Sequence, residues 1–217
     1  MILVEQNAIL NEDLNEDVAG AIARQALARR GADYAGEVRR LLDAALEVMR
    51  RCGTDSRPRV ADIVAAAGLS NDAFYRYFPA KDALVAALLD DGAQRLRSYL
   101  AHRMDKARGP EAEVRAWVEG VLAQAGPEIA ATTRAVLYNS GGAGEGQASG
   151  RHFAAGPLAT LLHDPFAALG SGDPEVASAF AAHAVLGWLS DHLWRRTQPT
   201  RTETARIVDL CLAVAGP

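Results

Sequence analysis

The sequence predicts an all-α protein, with a small three-helix N-terminal domain followed by a larger helical body. Three observations predict it. Apolar residues recur at helical spacing along most of the chain, the alternation of a half-buried strand is absent, and Gly, Pro and Asp punctuate the periodic segments. With 217 residues, 49 % of them hydrophobic and 23 % charged, the composition is that of a globular protein large enough for one or two cores.

The first clear helix spans about 36–52. Its apolar residues Val38, Leu41, Leu42, Ala45, Leu46 and Met49 form one stripe, and Gly53 offers a stop. Val60, Ile63, Val64 and Ala67 repeat the pattern over barely two turns, closed by Gly68. Ser70 can cap the next helix, which runs to about Phe78. Pro79 ends it, and Lys81 opens a long helix with Leu84, Val85, Leu88, Leu89, Leu96, Tyr99 and Leu100 on its apolar side. Beyond Gly109-Pro110 the expected helices are 111–124, 127–138, 152–168, 174–196 and 201–214. The glycine-rich loop at 141–146 has neither a preceding strand nor a Gly-Lys-Ser/Thr ending, so it does not read as a phosphate loop. There is no internal repeat.

Charge is uneven. Residues 1–20 carry five acids (Glu5, Glu12, Asp13, Glu16, Asp17) and no base, whereas residues 21–81 carry eleven Arg and Lys against seven Asp and Glu. A locally basic segment inside a chain of net charge −4 suits a protein with one nucleic-acid-facing end. No apolar run reaches the roughly 18 residues of a membrane span. The N-terminus lacks the basic region and small-residue cleavage site of a signal peptide, so a cytoplasmic location is expected. Cys52 and Cys211 each lie in an apolar helical pattern and read as buried thiols, not as a disulfide or metal site.

The informative stretch is 60–84. Two short helices joined by a glycine-containing turn are a helix-turn-helix. The alanines at 65–67 keep the first helix thin, Gly68 permits the turn, Leu69 can plug the corner, and Ser70 starts the second helix. On that second helix Phe74 and Phe78 share a core-facing side with Tyr77 at its edge. Asp72, Tyr75 and Arg76 fall on the opposite arc, with Asn71 at its margin. Such a face can exchange hydrogen bonds with base edges and phosphates, although Asp72 would repel phosphate. The competing reading is a solvated helix face.

Ala67-Gly68-Leu69-Ser70, followed by Phe74-Tyr75-Arg76-Tyr77-Phe78-Pro79-Ala80-Lys81-Asp82-Ala83-Leu84, resembles the DNA-binding signature of the tetracycline-repressor (TetR) family. The likeness covers about 36–84; Val64 departs from it, standing where a small residue is usual. The resemblance implies a DNA-binding set of Ser70, Asn71, Asp72, Ala73, Tyr75, Arg76, Tyr77 and Lys81. In it Ser70 and Asn71 meet phosphate or bases, Tyr75 and Tyr77 contact the operator, and Lys81 adds its charge at a helix start. Thr54, Arg57 and Arg59 can hold flanking phosphates or be ordinary surface residues.

The expected organisation is an N-terminal extension at 1–33, a helix-turn-helix DNA-binding domain at 34–82, and an effector-binding and dimerisation domain at 83–217. In the extension, Arg24, Arg29 and Arg30 read as a basic arm along DNA, or else Ala19–Ala28 reads as a partly ordered extra helix packed on the body. The body's last two helices are expected to pair with those of a second copy, with Ala177, Ala181, Ala184 and Gly187 permitting close contact. Trp117, Leu137, Tyr138, Phe153, Leu162, Phe166 and Trp188 are candidate lining for an effector pocket, with His152 or His163 as a polar handle. Each also reads as plain core.

The function implied is a ligand-responsive transcriptional regulator. It would be a repressor that binds a palindromic double-stranded operator as a homodimer and is released by a small apolar or aromatic effector. The alternative is a helical adaptor of the same fold that has lost operator binding. No cofactor, metal or membrane partner is expected. Nor is an enzyme, since HExxH, CxxC, GxSxG and Rossmann fingerprints are absent. Ser190-Asp191-His192 has triad residue types, but one helix splays adjacent side chains apart. His183 and His192 project about 180° apart on one helix and cannot share a metal.

Overall fold

A computed structural model describes residues 2–140 and 155–215. The described residues form α-helices and short 3-10 turns without a strand, as the all-α expectation requires. The helices are α1 (Ile2–Cys52), α2 (Val60–Ala67), α3 (Asn71–Tyr77), α4 (Lys81–Met104), α5 (Pro110–Leu122) and α6 (Pro127–Asn139). They continue as α7 (described over 155–159), α8 (His163–Ala168), α9 (Pro174–Arg195) and α10 (Arg201–Ala215). The glycine-rich loop at 141–146 lies outside the described residues, as do His152 and Phe153.

Two helices depart from the sequence reading. The first does not begin near residue 36: α1 is a single helix of 51 residues, about 75 Å long. No proline interrupts 2–52, and a Cβ at Gly31 or Gly36 would meet nothing within 4 Å. Residues 22–25 and 29–36 are exposed, so this stretch is not packed on the body as the extra-helix reading had it. The second departure is the helix expected over 152–168, which tightens into a 3-10 turn at Thr160–Leu162 before α8. Pro165 accounts for the break, because it has no N–H for the carbonyl four residues back and its ring crowds that carbonyl.

Helix ends follow their residues. Gly68 closes α2 at φ 64°, while the Leu69 N–H reaches the Val64 carbonyl at 2.9 Å. The Ser70 hydroxyl accepts from the Ala73 N–H at 3.1 Å and caps α3. Asp173 caps α9 through the Val176 N–H. Thr200 and Glu203 exchange reciprocal bonds at the start of α10.

Two hydrophobic clusters result. In the first, Leu41, Ala45 and Met49 of α1 pack with Ile63, Val64, Phe74, Phe78, Leu84 and Val85. In the second, α5 is the central helix, and its Val114, Trp117, Val118 and Val121 meet α4, α8, α9 and α10. The Trp117 indole Nε1 donates to the Leu158 carbonyl at 3.0 Å and so ties α5 to α7. Gly120 lets α4 approach closely, since a Cβ there would stand 2.5 Å from Leu100 Cδ2.

Helices α4 and α6 serve both clusters. Leu84, Val85 and Leu88 of α4 belong to the first, Leu100 and Met104 to the second. On α6, Ala130 belongs to the second, whereas Ala135 and Val136 insert into the first against α1.

Candidate nucleic-acid interface

The first cluster fixes α3 from one side. Phe74 is fully buried and packs on Phe78 with ring centroids 5.7 Å apart, while Tyr75 meets the Phe74 edge at 5.2 Å. The opposite face is open: Asn71, Asp72 and Arg76 are exposed, and Tyr75 is 57 % exposed. A seven-residue helix anchored by two phenylalanines thus presents Asn, Asp, Tyr and Arg outward. Those groups supply donors, acceptors and a flat aromatic surface.

Two residues of the expected set stand differently. Ala73 is turned inward and 5 % exposed, so it packs in the core instead of sharing the outer face. At 100° per residue its side chain falls beside that of Tyr77, on the flank of α3 that is also turned inward. Tyr77 is half-buried and its hydroxyl donates to the Glu37 carboxylate of α1 at 2.7 Å. Burial first, and the carboxylate second, push the Tyr77 phenol above its ordinary range.

Around α3 lie the flanking candidates. Lys81, at the start of α4, donates through Nζ to the Pro58 carbonyl at 3.3 Å and is half-buried. Arg59 is exposed, and its guanidinium meets Asp62 at 3.4 Å. The Arg59 backbone N–H also donates to that carboxylate at 2.9 Å, the main reason Asp62 titrates below the usual carboxylate range. Thr54 is half-buried in the segment between α1 and α2. The Arg57 guanidinium lies 5.2 Å from the ring centroid of Tyr138 on α6.

The candidate effector residues are divided. Trp117, Leu162 and Phe166 come together in the body core, with Leu137 packed against them. His163 is half-buried, and Tyr138 stands at the joint with Arg57. Trp188 faces away, 45 % exposed and stacked on His192. Surface depressions lie away from Trp117, Leu162 and Phe166, and one of them borders Trp188. One of about 340 Å³ is bordered by Glu119, Leu122, Gly126, Gln198 and Thr204, and one of about 320 Å³ by His183, Ala184, Gly187, Trp188 and Asp191.

The candidate dimer residues are split as well. Ala177 and Ala181 pack inside the chain's own core, whereas Ala184 and Gly187 are exposed. The exposed face of α9 also carries Val176 and Phe180, 64 % and 62 % exposed, and α10 adds Leu210 and Val214. Sequence reasoning followed the small residues and missed these large ones, although Val176, Phe180 and Ala184 repeat every fourth position. Among the described residues no group of His, Cys, Asp and Glu could hold a metal, and no helix is long and apolar enough to cross a membrane. His192 bonds Thr197 at 2.8 Å and lies 3.7 Å from Glu203, so it forms no triad with Ser190 and Asp191.

Comparison with known proteins places this architecture. Residues 41–88 match the family model described as bacterial regulatory proteins, tetR family. The HTH-type transcriptional regulator YvdT of Bacillus subtilis (strain 168) is 34 % identical over 74 residues, a match spanning about a third of each chain. A crystal structure from Pseudomonas aeruginosa PAO1, assigned as a transcriptional regulator, has TM-score 0.60 at 22 % identity and covers 82 % of this chain and 87 % of its own. The FadR regulator of Bacillus subtilis, in complex with stearoyl-CoA, has TM-score 0.54 at 14 % identity, covering 81 % and 96 %.

Proposed function

We propose, from the match of residues 41–88 to the tetR family of bacterial regulatory proteins, that the chain is a ligand-responsive repressor of that family. It binds a palindromic operator as a homodimer, and a small apolar or aromatic effector releases it. In this reading 34–82 is the DNA-binding domain and 83–217 the effector-binding and dimerisation domain.

The observation that carries the reading is the exposed face of α3, with Asn71, Asp72, Tyr75 and Arg76 held outward on the buried Phe74 and Phe78. An exposed helix face of this chemistry suits the major groove, where side chains reach base edges. Lys81, Arg57 and Arg59 border it and supply positive charge for the phosphates on either side.

Support for the dimer comes from the outer face of α9 and α10. Val176, Phe180, Trp188, Leu210 and Val214 expose large apolar side chains there, with Ala184 and Gly187 between them allowing close approach. A second copy meeting this face buries it in a four-helix contact.

The effector class rests on the apolar surroundings of Trp117, Leu162 and Phe166, and on the stearoyl-CoA held by the FadR regulator of similar fold. Coupling to the DNA end runs through α4 and α6, the two helices with residues in both cores. An effector that favours a shifted position of either helix reduces DNA affinity by its differential affinity for the two arrangements.

Selection of bound duplexes from a random pool by the purified protein tests the reading. A palindromic motif is expected. No enrichment by folded, effector-free protein would overturn it in favour of the helical adaptor.

A further inference from the structure

Glu37 is the acid that α1 brings against the recognition helix. Its carboxylate accepts the Tyr77 hydroxyl proton at 2.7 Å and lies 3.5 Å from the Arg76 guanidinium. The Arg76 guanidinium also stands 5.6 Å from the Tyr77 ring centroid, and Tyr34, nearly one turn before Glu37, meets the same ring edge-on at 6.1 Å. The assembly is open to solvent on its arginine side, where the Arg76 side chain is 51 % exposed against 26 % for Glu37.

The chemistry of this cluster is that of an anion site already filled. A phenolic hydroxyl has one proton, and while Glu37 accepts it no other acceptor can. A guanidinium beside a carboxylate offers a phosphate less net charge than a free one. Tyrosine hydroxyl and arginine are among the groups that hold DNA backbone phosphates. We propose that Glu37 is an internal stand-in for a DNA phosphate, competing with the duplex for Arg76 and Tyr77 and holding down backbone affinity at the C-terminal end of α3. This inference rests on the DNA-binding reading of α3.

Competition of this kind limits non-specific binding more than specific binding. The sequence-independent part of the affinity comes from phosphate neutralisation, so an arginine partly neutralised from within contributes less to it. Base contacts from Tyr75 and Asn71 do not pass through the pairing of Glu37 with Arg76 and Tyr77.

Glu37→Gln tests the proposal, because glutamine keeps an oxygen for the Tyr77 hydroxyl while removing the charge. The probe is a fluorescent random-sequence duplex, titrated by anisotropy over a series of salt concentrations with the full chain. Glu37→Gln is expected to bind about three- to tenfold tighter at low salt. Its plot of log affinity against log salt should steepen by about one unit per domain bound. Arg76→Ala should cost more affinity in the Glu37→Gln background than in the wild type, which a merely structural role of Glu37 would not produce. Equal or weaker binding with an unchanged salt slope, in a variant that melts like the wild type, overturns the competition while leaving the DNA reading intact. If neither wild type nor variant binds duplex at low salt, the DNA reading fails and this inference with it.

Discussion

The guanidinium of Arg57, in the segment leading into α2, lies 5.2 Å from the ring centroid of Tyr138 near the end of α6. One residue borders the proposed DNA-facing surface, and the other sits on a helix that also packs in the body core. Beside them, Ala135 and Val136 carry α6 into the same cluster as Leu41, Ile63 and Phe74. We propose that a displacement of α6 would act on the segment that holds Arg57.

A double-mutant cycle measures this link. Tyr138→Leu keeps apolar bulk but removes the ring beneath Arg57, a contact of about 0.5–1 kcal/mol at an exposed site. Tyr138→Leu should weaken duplex binding about two- to fivefold, and the loss should vanish when Arg57 is already alanine. Additive effects of the two substitutions would remove Tyr138 from the route.

The exposed apolar face of α9 predicts the oligomeric state. Phe180→Glu places a charge on a side chain 62 % exposed in the single chain, so the monomer keeps its core. Sedimentation equilibrium should show association weakened by at least about tenfold, as burying an unpaired carboxylate would cost over 1.4 kcal/mol. An undisturbed dimer would place the interface elsewhere.

Close packing of α4 on α5 gives a stability prediction. The Cβ of Gly120→Ala would stand 2.5 Å from Leu100 Cδ2, and Leu100 is fully buried. Denaturant unfolding should show a loss of about 1–3 kcal/mol. No loss would mean that Leu100 has a free rotamer to move into.

The two thiols should react very differently. Burial pushes the Cys211 thiol up to about 11, whereas Cys52 is half-exposed. At pH 8 a thiol of that pKa is ionised at about one part in a thousand, so it is a poor nucleophile as well as a covered one. Titration with a disulfide reagent should give one rapid equivalent per chain, and the second only after unfolding. Two rapid equivalents would contradict the burial of Cys211.

What the sequence made readable follows from where the determinants lie. The helix-turn-helix is local: Ala67, Gly68, Ser70, Phe74 and Phe78 define two helices and a turn by spacing alone, and the structure has them where that spacing demands. Helix ends marked by Gly109-Pro110, Pro127 and Pro174 fell within a residue or two for the same reason. The start of α1 was not readable, because alanines and arginines over 20–35 carry no stop, and glycine alone does not end a helix. The entry of α6 into the first core was hidden, since Ala135 and Val136 look like any body residues until α1 is placed beside them. The apolar face of α9 was obscured by its five alanines, three of which are buried. Glu37 gave no signal in sequence, as its partners lie about 40 positions away and only tertiary packing brings them together.

The assignment of α3 as the recognition helix is tested most directly by duplex affinity of Tyr75→Ala and Lys81→Ala, each checked for an unchanged melting transition. Tyr75 is exposed and Lys81 lies at a helix start, so neither substitution removes core. On the duplex recovered by selection, each should lose at least about tenfold in affinity, or 1.4 kcal/mol, with the dimer intact. Wild-type affinity in both variants would contradict the account, and α3 would no longer be the face that meets DNA.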